Sequence, residues 1–90
     1  MKISHTSFCH APPGLVATGL LGWASFVLDG RLRIEVAVRR TRTGRHALSY
    51  PVRDDGCGRR WHLLRPVDDA TRQELERQVL GAIDLEDPAA

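Results

Sequence analysis

The clearest pattern in the chain is Phe26-Val27-Leu28-Asp29-Gly30-Arg31-Leu32-Arg33-Ile34, two apolar-rich runs separated by Asp-Gly. An Asp-Gly pair in that setting predicts a two-residue hairpin loop, because both loop residues must accept positive φ. The outgoing strand alternates: Leu32, Ile34, Val36 and Val38 point one way, Arg31, Arg33 and Glu35 the other. That period of two predicts one buried face and one wet face. Pairing about Asp29-Gly30 sets Val27 opposite Leu32 and Trp23 opposite Val36, with both pairs on the buried face.

Arg39–Arg45 reads as a second turn around Gly44, and His46–Tyr50 as a short strand stopped by Pro51. Arg53–Arg60 reads as a loop, marked by Asp54-Asp55-Gly56 and Gly58. Trp61–Leu64 returns as a short strand ended by Pro66. A strand over about Lys2–Cys9 completes the sheet. The last element is helical: Thr71 with Glu74 predicts a capping box, and Asp68 and Asp69 suit the positive end of the helix dipole. Leu75, Val79, Ala82 and Ile83 form its apolar stripe, Arg72 and Glu76 are spaced as an i,i+4 pair, and Glu86–Ala90 reads as a frayed tail. The predicted fold class is α+β, a small antiparallel sheet of about five strands with one C-terminal helix.

Ninety residues make one domain, and a chain this short buries only about 60–65% of its unfolded surface, so a second subunit would help it. Charge sharpens the picture. Residues 31–65 hold ten arginines against Glu35, Asp54 and Asp55, a local charge of +7. Residues 66–90 hold Arg72 and Arg77 against seven acids, a local charge of −5. Twelve of the thirteen basic residues are arginine, whose guanidinium forks grip phosphate and stack on rings. A basic middle predicts an anionic partner for one surface.

Other chemistry finds little support. Cys9 and Cys57 are too few for a disulfide framework and predict free, partly buried thiols in a reduced, cytoplasmic protein. Residues 3–28 lack Lys, Arg, Asp and Glu, but Pro12-Pro13, Gly14, Gly19 and Gly22 oppose a membrane span or leader. Cys57 with His62, and Cys9 with His10, lack the paired spacing of a zinc site, so no metal or other cofactor is expected. His5, His10, His46 and His62 stand beside no identifiable nucleophile, and Asp54-Asp55 suit turn capping better than acid–base work. Gly14, Gly19 and Gly22 match no phosphate-binding loop. Neither an enzyme nor a small-molecule substrate is expected.

Three landmarks stand between Trp23 and Leu80: Ala24-Ser25-Phe26-Val27-Leu28-Asp29 at the hairpin, Tyr50-Pro51-Val52 and Arg65-Pro66-Val67 with Gly58 between them, and Thr71-Arg72 at the helix with Leu75, Val79 and Leu80. In these residues and their joint spacing the chain resembles the SpoVG (stage V sporulation protein G, or septation protein) family without gaps. The resemblance implies a homodimer that binds DNA and RNA to regulate gene expression. The chain also departs from the family. A basic pair there is Arg53 and Asp54 here, an acid is His62, a histidine is Arg65, and the first strand keeps only Ser7, Cys9 and His10 in place of basic residues. Arg39, Arg40, Arg42 and Arg45 crowd a turn that is less basic in the family.

The expected nucleic-acid surface is therefore the sheet edge and loops. Arg53, Arg59, Arg60 and Arg65 would supply phosphate contacts, joined by Arg39, Arg40, Arg42 and Arg45. Trp61 and Tyr50 are the stacking candidates, although a strand position such as that of Trp61 usually faces inward. The alternative is an interaction module whose arginines hold an acidic protein partner.

Overall fold

The computed structural model describes residues 1–85, so the tail expected at Glu86–Ala90 lies outside the described residues. The elements are β1 (Ile3–His10), α1 (Pro13–Val16), β2 (Leu20–Leu28), β3 (Leu32–Arg40), β4 (His46–Ser49), β5 (Val52–Asp54), β6 (Arg60–His62) and α2 (Asp69–Ala82). β1 to β4 form one antiparallel sheet in sequence order, and β5 and β6 form a separate two-stranded hairpin. The fold is α+β with a C-terminal helix, as the patterning predicts. Six strands in two sheets take the place of about five in one.

The inner face of the sheet carries Ala24, Phe26, Ile34, Val36, Val38 and Leu48, and α2 closes over it with Leu75 and Val79. Phe26, Val38 and Val79 are fully buried. Burying a Val, Leu or Phe side chain contributes about 1.5–3 kcal/mol each, so this cluster dominates the stability of the fold. The apolar stretch before the hairpin is divided between the single turn of α1 and the long strand β2. Among the described residues no helix is long and apolar enough to cross a membrane.

Asp29 and Gly30 do form the hairpin turn, with φ of 52° and 68° and a hydrogen bond from Arg31 N to Leu28 O of 3.0 Å. The ladder, however, begins one residue later than a two-residue loop would allow. Leu28 faces Leu32, Phe26 faces Ile34, Ala24 faces Val36 and Trp23 faces Ala37. Arg31 is thus an extra residue in the loop. A slip of one residue exchanges the two faces of a strand, so Trp23 and Val27 lie on the outer face instead of the buried one. Gly22, Ala24 and Phe26 take the core side. Substituting Gly30 by Val is expected to cost about 1–3 kcal/mol in urea unfolding, since a β-branched residue resists φ near +68°. An unchanged urea midpoint would remove the turn from the account of this hairpin.

The helix is capped three residues before the expected cap at Thr71. Asp68 is the N-cap, its Oδ1 accepting the Thr71 N–H at 2.8 Å, and Thr71 sits inside the first turn. Glu74 does not reach back to cap. It accepts from Arg77 and Gln78, and those bonds hold its carboxyl down at about 2. The Arg72–Glu76 pair forms as spaced, at 2.6 Å, and Glu76 is buried beside the core.

Candidate functional site

Every residue from Pro51 to Arg65 is exposed, including both strands of the second sheet. The hairpin packs its two strands on each other and rests on no other element to a comparable extent. It is an arm. Val52, Trp61, Leu63 and Leu64 on it are all exposed apolar side chains, and Val67 just beyond is 90% exposed. Trp61, Leu63 and Leu64 read as a strand in the sequence, since aromatic residues favour strands, whereas Val52 and Val67 fall outside the expected strands. With no helix or sheet behind them, they face solvent.

The tip of the arm is built by its two acids. Asp54 Oδ1 accepts from Gly56 N at 3.1 Å. Asp55 accepts from Cys57 N at 2.8 Å, from Arg59 N at 3.2 Å and from Trp61 Nε1 at 3.4 Å. The Cys57 bond leads in holding the Asp55 carboxyl below its usual value. Both aspartates therefore act as turn-forming residues. Cys57 at the tip, like Cys9, is exposed and not partly buried as expected. Among the described residues no group of three or more His, Cys, Asp or Glu side chains is placed to hold a metal ion.

Strand pairing divides the arm's arginines between its two faces. Arg53 lies directly across from Trp61, while Val52 pairs with His62 and Asp54 with Arg60. Since side chains alternate along a strand, Arg53 and Trp61 share one face. Arg59 joins them, its guanidinium 4.0 Å from the Trp61 ring centroid. Arg60 and His62 share the other face. They line a cleft of about 500 Å³ with Arg65, Tyr50, Asp68, Asp69 and Arg72, where the arm meets β4 and the start of α2. Among the described residues, no ion pair holds Arg53, Arg59, Arg60 or Arg65; the ion pairs lie within α2.

Trp61 is 47% exposed, against the inward orientation expected of a strand position. Tyr50, at the base of the arm, packs against the core; its hydroxyl is buried with no hydrogen-bond partner among the described residues, and burial pushes its pKa up to about 12. Of the two stacking candidates, Trp61 offers the open ring.

Arg39, Arg40, Arg42 and Arg45 form a separate group. β3 runs to Arg40, and residues 41–45 make the turn, closed by Thr41 N to Arg45 O at 2.7 Å. Arg40 reaches back to the Val16 carbonyl at 3.4 Å. This turn and the arm leave opposite ends of β4, whose four residues span about 13 Å. The structure does not bring the eight arginines into one cluster. Arg39 alone lies toward the arm, in a shallow groove on the outer sheet face with Trp23, Ala37, Tyr50 and Val52. Trp23 is the residue that sequence reasoning missed there, at 43% exposed. The Gly22, Ala24, Phe26 alternation was the signal that it faces outward. No family model, curated protein or solved structure matches the chain.

Proposed function

We propose that this chain is a cytoplasmic, homodimeric regulator that binds DNA or RNA through its arginine-bearing arm, as its resemblance to the SpoVG family implies, and performs no catalysis. One observation carries the reading: four arginines with no ion-pair partner among the described residues stand on the exposed segment 51–65, two of them on the face of a half-exposed tryptophan. Free guanidinium groups on an extended arm fit a polyanionic backbone, and an adjacent aromatic ring fits its bases. The acidic helix α2 meets the arm only at its start, where Asp68 and Asp69 line the cleft, and its Arg72 and Arg77 are tied to its own carboxylates.

The dimer is supported by the arm as well. An isolated two-stranded hairpin is marginal in water, and Val52, Leu63, Leu64 and Val67 are apolar surface that a second copy would cover. Light scattering at micromolar concentration is expected to give twice the 10.0 kDa chain mass. A monomer at that concentration would sink the dimer.

The direct test of function is titration of random-sequence single- and double-stranded oligonucleotides at low salt. Binding that weakens as salt rises is the expected result. No binding by the parent chain would overturn the nucleic-acid reading and leave an acidic protein as the partner of the arginines.

A further inference from the structure

The face of the arm that carries Trp61 is organised around that ring. Its indole N–H is pinned by the Asp55 carboxylate, and the same carboxylate holds the Cys57 and Arg59 backbone amides of the loop. Arg59 lies on the ring at 4.0 Å, and Arg53 stands directly across the hairpin from it. The ring is thus fixed in position, 47% exposed, and supported by no core. A buried tryptophan would stabilise the fold, and a loose one would lose rotamer freedom on contact with a ligand. A pinned and open ring costs a ligand little ordering.

We infer that Trp61, with Arg59 and Arg53, is a stacking platform for one unpaired nucleobase, so that the arm selects single-stranded over double-stranded nucleic acid. Bases in a duplex have both π-faces covered by their neighbours, whereas an unpaired base can lay one on the indole face that Arg59 leaves uncovered. Arg59 and Arg53 then flank the base with positive charge for the phosphates on either side. Arg60, His62 and Arg65 lie on the opposite face of the arm and serve phosphate contact alone. This inference rests on the nucleic-acid reading above and adds to it the strand type and the residues that hold the stacked base.

The test compares three probes of equal length at low salt by fluorescence anisotropy: an oligothymidylate strand, the same strand carrying abasic sites throughout, and a duplex. The parent is expected to bind thymidylate about tenfold or more tighter than the abasic strand, the size of one base–aromatic stack. Trp61→Ala should abolish that difference while leaving abasic binding and its salt slope unchanged, and Trp61→Phe should keep most of it. Circular dichroism matching the parent would confirm that an exposed-arm substitution leaves the fold in place. Equal parental affinity for thymidylate and abasic strands would overturn the platform while the nucleic-acid reading stands. So would a Trp61→Ala variant that loses abasic and duplex binding to the same degree, whether or not it also loses its oligomeric state. Failure of the parent to bind any probe would overturn both.

Discussion

Gly22→Ala is expected to be the most damaging small substitution in the molecule, lowering stability by about 3 kcal/mol or more. Gly22 sits in β2 where the β2–β3 ladder shifts register and where β1 passes too close to leave room for a Cβ. A methyl group there would stand 2.2 Å from the Cys9 carbonyl oxygen and 2.6 Å from the Phe8 ring. The first contact is with backbone, which cannot turn aside as a flexible side chain does. Relief requires β1 to move away, and that breaks the His10–Gly22 and Cys9–Trp23 pairings and pulls Phe8 from the core. Urea unfolding would show the loss as a lower midpoint at an unchanged slope if only the native state is affected. A midpoint equal to that of the parent would mean that β1 does not press on β2 as described.

The second large effect is on binding. Each phosphate neutralised on a single strand contributes about −0.7 to the slope of log affinity against log salt. With Arg53, Arg59, Arg60 and Arg65 each holding one, the slope is about −3, and a fourfold rise in salt weakens the complex by about 50-fold. Changing Arg59 and Arg60 together to Ala should flatten the slope by about 1.4. The paired change at Arg72 and Arg77 should matter less, because Asp69, Glu74 and Glu76 already hold those guanidinium groups. Since Arg59 and Arg60 lie on opposite faces of the arm, the single variants are informative: a ligand that grips both faces loses about 0.7 from each. Equal losses from the arm pair and the helix pair would show only diffuse attraction of a polyanion.

The sequence made some of this structure readable and hid the rest for identifiable reasons. Asp29-Gly30 is legible because few residues accept positive φ, yet turn chemistry does not count loop residues. The extra Arg31 therefore shifted the register and turned Trp23 outward. The α2 stripe is legible from its period, while Asp68 and Thr71 are both competent caps, and only the backbone shows that the helix is capped at Asp68, whose carboxylate takes the Thr71 amide. The arm was hardest to read. Val52 and Trp61 have the residue types of core strands, and what exposes them is the lack of a covering layer, a property of the whole chain. Asp54 and Asp55 were legible as turn formers; the pinning of Trp61 by Asp55 across six positions was not.

Strand β1 holds one further consequence, for self-association. It forms one margin of the four-stranded sheet, and an unpaired margin of eight residues would template another chain. Near its start the β1–β2 register shifts by one residue, and His5 there takes a φ of 51°. That bulge bends the strand and misaligns its outward N–H and C=O groups. The opposite margin, β4, offers only four residues, bounded by Arg45 on one side and Pro51 on the other. Neither margin of this four-stranded sheet presents a long, straight, apolar row, which disfavours its runaway growth into fibrils.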